Sequence, residues 1–182
     1  LADFVVMVKG MATMGMAGPA LVKAGTGQSV DKQALGGASV QVSTHGLADL
    51  AVESEAECLD AVRKFLSYLP ANARAKPACV AAQLPPEHDA DALLDLVPAD
   101  SRKVYDVNQV IEVMADRDSV FELKPRYARN VVTAFARLNG KPVGFVANQP
   151  RRMGGMLDAR ASEKAARFVG LCDAFGLPLV FL

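Results

Sequence analysis

Two apolar runs, Asn130 to Leu138 and Lys141 to Asn148, are separated only by Asn139-Gly140. An Asn-Gly link suits the type I′ turn, whose left-handed residues match the twist of paired strands, so the runs are predicted to form a β-hairpin. A glycine-rich loop at Gly154-Gly155 then leads to a helix predicted from about Ala161 to Phe175. Gly176 is placed to end that helix, and Leu177 to Leu182 reads as a further strand. A helical crossover returns its strand parallel to the one it left. The order strand, turn, strand, loop, helix, strand therefore predicts a layered α/β domain built on a ββα unit, distinct from a Rossmann alternation.

Upstream, residues 3 to 9 are rich in Phe and Val and read as a strand. Gly10 to Gly18 is a small-residue segment, and Pro19 suits the first position of a short helix. Gly25, Gly27 and Gly36-Gly37 punctuate the next stretch, which reads as loop-rich surface. A firmer helix starts at Ser54, which has capping-box spacing to Glu57. Leu59, Val62, Phe65, Leu66 and Leu69 give it one apolar stripe, and Pro70 ends it. Residues 70 to 104 hold Pro70, Pro77, Pro85, Pro86 and Pro98 among alanine and acidic residues, the composition of an irregular linker. The expected organisation is thus residues 1–69, a linker over 70–104, and residues 105–182. At the start of the last part, Asp106 can cap a helix carrying Val107, Val110, Ile111 and Met114 at helical spacing.

With 20 basic residues against 20 acidic in a chain of 182, the broad cationic surface required for phosphate-backbone binding is absent, and no nucleic-acid partner is expected. No run approaches the roughly 20 apolar residues that span a bilayer, so no membrane partner is expected either. Cys58, Cys79 and Cys172 are odd in number and lack a CxxC pairing. Neither a disulfide framework nor a metal site is predicted, and a reducing compartment is favoured. The chain opens without an initiator Met and stops inside an apolar run, so a piece of a longer polypeptide is expected.

None of the patterns GxSxG, HExxH, GxxxxGK[ST] or GxGxxG occurs. Of the two histidines, His88 lies among prolines and acidic residues and reads as a solvated loop residue, whereas His45, before Gly46, is the stronger site candidate. Cys172 falls on the apolar face of the last helix and is expected to pack; Cys58 and Cys79 have no fixed basic neighbour to activate them. Gly15 to Pro19, Gly36-Gly37 and Gly154-Gly155 could offer backbone N–H groups to an oxyanion, or serve as turns and caps. Lys164 and Arg167 could hold a phosphate or carboxylate, or be solvated helix charges. The hairpin exit Asn148-Gln149-Pro150-Arg151-Arg152 puts two amides and two guanidinium groups on a loop after a buried strand. That suits anion binding by Arg151 and Arg152, or a merely polar loop.

The same residues carry a family resemblance. Val104-Tyr105-Asp106-Val107-Asn108-Gln109-Val110-Ile111, Tyr127-Ala128-Arg129-Asn130, Phe135-Ala136-Arg137-Leu138-Asn139-Gly140, Val143-Gly144, Ala147-Asn148-Gln149-Pro150 and Gly155-Met156-Leu157-Asp158 together resemble the carboxyltransferase (β) subunit of biotin-dependent acyl-CoA carboxylases. Upstream, Asp3-Phe4-Val5-Val6-Met7-Val8, Ala17-Gly18-Pro19, Leu35-Gly36-Gly37-Ala38 and His45-Gly46 are similar to the end of that family's first domain. The resemblance covers nearly the whole chain.

It implies a crotonase-like α/β fold, a spiral of ββα units, with the end of the N-terminal domain over 1–69 and the start of the C-terminal domain over 105–182. The implied reaction moves a carboxyl group from carboxybiotin to the α-carbon of a short acyl-CoA such as acetyl- or propionyl-CoA. Biotin would be carried by a partner, a biotin carboxylase and biotin carboxyl carrier subunit or domain, with no metal bound by this chain. The family is homo-oligomeric, with its site between the first domain of one protomer and the second of another. A cytoplasmic or mitochondrial-matrix location is implied. Its oxyanion segments lie before the position matching Leu1 and after the strand ending at Leu182, so no catalytic residue is carried over. Gly18 and Pro19 match the acyl-CoA side, and Asn148, Gln149 and Gly155 the biotin side. Met11 to Met16 and Arg151 to Gly154 depart from the common pattern, which leaves acyl length open. A decarboxylase subunit of the same fold, or a non-catalytic assembly segment with exposed sheet edges, are the alternatives.

Overall fold

The computed structural model describes residues 2–72, 74–83, 90–100 and 102–182, and the chain divides into two compact units, Leu1–Arg63 and Lys64–Leu182. In the first, strand β1 (Val6–Val8) pairs in parallel with β2 (Leu50–Val52), Met7 opposite Ala51. Between them run α1 (Pro19–Thr26), α2 (Lys32–Gly36), α3 (Ala38–Val40) and a π-helical turn, Gln41–His45. Pro19 takes the first helical position, as expected, because its missing N–H has no intrahelical acceptor there.

The segment expected to be loop-rich surface contributes a core instead, with Ala38, Val42 and Ala48 buried beside Met7. Small residues make this possible without an apolar period that a sequence reading can detect. A Cβ at Gly36 would lie 2.3 Å from the Met14 carbonyl oxygen, and the Met14 N–H donates to the Gly36 carbonyl at 2.8 Å. Gly36 is therefore a packing glycine.

Helix α4 (Glu55–Ser67) crosses the boundary between the units. Its cap is close to the prediction: the Glu57 N–H donates to Ser54 Oγ at 3.2 Å, while the Glu57 carboxylate accepts from Glu53 N at 3.0 Å, one residue earlier than a standard box. The predicted stripe is corrected, because Leu59 and Leu66 are more than half exposed and the buried anchors are Phe65 and Tyr68.

The second unit is a four-stranded sheet in the order β3 (Phe121–Leu123), β4 (Val131–Leu138), β5 (Lys141–Asn148), β6 (Leu179–Phe181). The first two pairings are antiparallel and β5–β6 is parallel, as the crossover through α7 (Ala159–Ala174) requires. Asn139 and Gly140 adopt φ of +51° and +78°, the left-handed pair of the predicted turn. Asp116 holds that turn by accepting from Asn139 N at 2.8 Å and Gly140 N at 2.7 Å.

One sheet face packs Val132, Ala134 and Ala136 of β4 with Val143, Phe145 and Ala147 of β5 against α6 (Val107–Met114). Leu93 and Leu96 of α5 (Ala90–Leu96) join this cluster, so the proline-rich stretch is not irregular throughout. On the other face Phe135 meets Phe168 of α7, Phe65 and Tyr68 at centroid distances of 5.0, 5.9 and 5.5 Å. Gly144 admits α7 here, since a Cβ would lie 2.6 Å from Cys172 Sγ. With both faces covered, β4 is apolar without strict alternation. Strand β3, only Phe-Glu-Leu, is too short to read from pattern.

Three buried groups in this unit predict its alkaline behaviour. Burial pushes the Cys172 thiol from 9.0 up to about 12. Burial also raises the Tyr68 phenol from 10.0 to about 12, against the pull of Arg137. The Lys164 ammonium goes the other way, lowered by burial from 10.5 to about 8. Between pH 8 and 10.5 the unfolded chain holds the Lys164 proton that the folded one has released, so stability rises with pH. Between 9 and 12 for Cys172, and 10 and 12 for Tyr68, the folded chain holds the extra proton and stability falls. Urea midpoints measured under reductant are expected to rise above pH 8, level near pH 9 and fall above pH 10. In Cys172→Ala the rise continues to about pH 10, where Tyr68 begins to oppose it. A monotonic fall from pH 8 in the unsubstituted chain is the contrary result.

Candidate functional site

A cavity of about 610 Å³ opens in the second unit, at the end of the sheet where β4 begins and β5 finishes. Asp106, Asn108, Glu122, Arg129, Gln149, Arg151 and Arg152 line it, with Val104, Pro125 and Val132 as apolar wall. Asp106 is the N-cap of α6, where a short acceptor side chain satisfies an orphan N–H. It does more than cap: Oδ1 accepts from Asn108 N at 3.1 Å and from Gln149 Nε2 at 2.7 Å, and Oδ2 accepts from Arg151 Nη1 at 3.0 Å. Partial burial alone would raise its pKa, but those donors outweigh it and hold the carboxyl below the ordinary carboxylate value. Glu122, on β3, is raised by burial, against the pull of Lys164 and Arg129.

The loop after β5 is fixed by its backbone. Gln149 N donates to Asn130 O at 2.9 Å, Arg152 N to Gln149 O at 3.0 Å and Gly155 N to Arg152 O at 2.9 Å. Gly155 has φ of +76°, which favours glycine, and a Cβ there would press on Asn148 Cβ at 3.3 Å. Asn130 Nδ2 donates to the Met156 carbonyl at 2.6 Å, tying the start of β4 to the far side of the loop.

Of the biotin-side candidates, Gln149 is buried and lines the cavity, whereas Asn148 is exposed at the end of β5 and Gly155 is buried within the loop, outside the cavity lining. Arg151 reaches the cavity held by Asp106, and Arg152 lines it too. Lys164 corrects the expectation of a ligand-binding or solvated charge: it is buried, and its Nζ donates to Val131 O at 2.7 Å and Tyr127 O at 3.0 Å. Sequence pattern does not mark Asp106 or Glu122 as site residues. Asp106 is legible as a cap, but its other partners lie 43 and 45 residues away.

In the first unit a pocket of about 170 Å³ is lined by residues 13 to 19 with Lys32, Leu35 and Gly36. It brings together two of the glycine segments, and both Gly18, the N-cap of α1, and Pro19 face it. His45 is exposed outside this lining, its Nδ1 3.2 Å from Gln41 Oε1. Gln41 is itself buried and donates to the Met14 carbonyl at 2.6 Å, so the pair props the pocket's backbone. Cys172 is buried, as expected, while Cys79 is exposed; all three cysteines are free thiols. His88 lies outside the described residues. No helix among the described residues is long and apolar enough to cross a membrane.

The Carboxyl transferase domain family model matches residues 1–182. A propionyl-CoA carboxylase carboxyltransferase subunit of Haloferax mediterranei is 43% identical over 180 residues, covering 99% of this chain and 35% of the relative. The methylmalonyl-CoA decarboxylase subunit alpha of Veillonella parvula is 40% identical over 180 residues, with the same coverage. Among solved structures, transcarboxylase 12S, described as a hexamer with methylmalonyl-CoA and methylmalonic acid bound, superimposes with a TM-score of 0.92 at 41% identity, covering 98% of this chain and 34% of that one. The chain thus spans about a third of the length of the curated relatives it matches. The mixed α/β architecture is that of a crotonase-like carboxyltransferase, as the resemblance implied. By its match over the whole length, the chain belongs to the carboxyl transferase family.

Proposed function

We propose that the protein carrying this chain transfers a carboxyl group between carboxybiotin, held by a partner carrier, and the α-carbon of a short acyl-CoA, propionyl- or acetyl-CoA. The observation that carries this reading is the whole-length family match, with relatives named for this chemistry at 40–43% identity. The division into 1–69, a linker and 105–182 belongs to the same proposal, as do a homo-oligomeric assembly and partnership with a biotin carboxylase and carrier. Carboxybiotin, when bound beside Gln149 and Asn108, would supply the carboxyl group and a ureido nitrogen able to accept the α-proton.

The residues of the second unit fit such a group. The cavity offers amides at Gln149 and Asn108 for a ureido ring, guanidinium groups for a carboxylate, and a narrow apolar wall. Gln149 is presented in one orientation because Asp106 accepts its amide N–H. Asn148 and Gly155 shape the loop beside it. Gly18 and Pro19 stand at the acyl-CoA side, where a glycine cap without a side chain lets a thioester approach the backbone. No side-chain nucleophile is assigned, since backbone donors can stabilise the enolate and ureido oxyanions.

The decarboxylase relative favours a second reading in which the net flow runs from acyl-CoA to biotin. Both are tested by one experiment. The full-length protein is supplied with carboxylated biotin carrier and acetyl-, propionyl- and longer acyl-CoAs, and separately with free carrier and the corresponding carboxyacyl-CoAs. Transfer to a short acyl-CoA is expected. Transfer only in the reverse assay establishes the decarboxylase direction, and no transfer in either sinks the carboxyltransferase reading in favour of an assembly role.

A further inference from the structure

We propose that the cavity of the second unit is an oxyanion site in which Arg129 and Arg152 grip a carboxylate or phosphate group. Three guanidinium groups and two carboxylates line it, and they are unequally partnered. Arg151 is held by Asp106 at 3.0 Å, and Asp106 also accepts from Asn108 N and Gln149 Nε2. Glu122, the other carboxylate, is largely buried on β3 and lies in the field of Lys164 as well as Arg129. The side chains of Arg129 and Arg152 make no hydrogen bond or ion pair among the described residues, yet both border the same space. In a chain with 20 basic and 20 acidic residues this local excess is not a by-product of overall basicity.

Both arginines project from anchored backbone. Arg129 precedes Asn130, whose side chain is bonded to Met156 O, and follows Ala128, whose carbonyl accepts from Val131 N at 3.2 Å. Arg152 lies in the turn closed by its own N–H to Gln149 O and by Gly155 N to its carbonyl. Fixed bases reduce the freedom lost when the guanidinium groups close on a ligand. The planar fork of arginine matches the two oxygens of a carboxylate or phosphate, which a lysine would meet only as a point charge. Asp106 is then a positioning residue: by holding Arg151 and Gln149 it keeps an amide beside the anion and one guanidinium out of competition for it.

The proposal rests on the carboxyltransferase reading only for the source of the anion, either the carboxylate of the transferred group or a phosphate of coenzyme A. Calorimetric titration of the full chain with malonate and, separately, with adenosine 3′,5′-bisphosphate distinguishes the two. At least one probe is expected to bind saturably, with binding weakened about tenfold in each of Arg129→Gln and Arg152→Gln and unchanged in Arg160→Gln, a surface control on α7. Binding of malonate alone assigns the carboxylate source, and binding of the bisphosphate alone assigns the coenzyme. Thermal midpoints of the variants verify that the fold is kept, as replacement of exposed arginines predicts. The proposal is overturned if neither probe binds, or if binding is the same in the Arg129→Gln, Arg152→Gln double variant. Turnover of the full-length protein separates the two ideas. Transfer by an unsubstituted protein that binds neither probe sinks the anion site alone, whereas probe binding without transfer in the unsubstituted protein sinks the carboxyltransferase reading alone.

Discussion

Phe135→Ala is expected to lower the stability of the second unit by about 3–5 kcal/mol, the range for an aromatic removed from a closed core. Phe135 is fully buried on the central strand β4, with Phe168 at 5.0 Å and Tyr68 at 5.5 Å between ring centroids. Such aromatic pairs are worth about 0.5–1.5 kcal/mol beyond the area they bury. The site is also poorly able to collapse. Its partner on β5 is Gly144, which has no side chain to swing into the gap, and α7 already rests on that glycine. The void therefore persists, and its lining loses contacts that relaxation does not restore. Phe135→Leu, which keeps most of the volume, is expected to cost about half as much or less. Urea unfolding followed by tyrosine fluorescence reads the difference. An alanine variant within about 1 kcal/mol of the unsubstituted chain would show that the aromatic cluster does not hold α7 and the end of α4 on the sheet.

The elements that carry this packing are legible in sequence to different degrees. The hairpin, α6 and α7 rest on short-range signals: Asn139-Gly140 at the turn, Asp106 at a cap, and Gly176, with φ of +65°, after the last helix. Each acts within a few residues, so pattern suffices. The core of the first unit reads as surface because glycine and alanine allow close approach without marking an apolar face. Long-range partners are invisible for a different reason, since no local pattern encodes them. Lys164 sits at an ordinary helical position, and only the fold shows that its acceptors are the carbonyls of Tyr127, in the turn before β4, and of Val131, the first residue of that strand. The site is half legible. Gln149 and Arg151 stand out because polar residues follow a buried strand, but Asp106, which holds both, declares only its local role.

Arg137→Met is expected to be the other large loss, about 3–5 kcal/mol, because it removes charge-assisted hydrogen bonds to backbone carbonyls together with the contact over the Tyr68 ring. Arg137 is 8% exposed on β4. Its Nη1 donates to Ala78 O and Gly140 O, each at 3.0 Å, and its Nη2 to Ser67 O at 2.7 Å. The guanidinium also lies over the Tyr68 ring, 5.2 Å from its centroid. One side chain thus satisfies carbonyls from the end of α4, the proline-rich stretch and the hairpin turn. Methionine fills similar volume but donates nothing: Gly140 O keeps the Val80 N–H, whereas Ala78 O and Ser67 O lose the guanidinium, at about 1–3 kcal/mol for each carbonyl left without a donor. Arg137→Lys is expected to recover less than half of the loss, because a single ammonium cannot span acceptors set around a planar fork. A readout that ordinary destabilisation would not give is local. The stretch around Ala78 is otherwise tied by Val80 N to Gly140 O at 3.1 Å. In Arg137→Met, limited proteolysis under native conditions should therefore cut near Ala78 faster than in Phe135→Ala at matched stability. Equal cutting in the two variants would mean that the stretch is held by its backbone bonds alone, and that Arg137 acts only through the core beneath it.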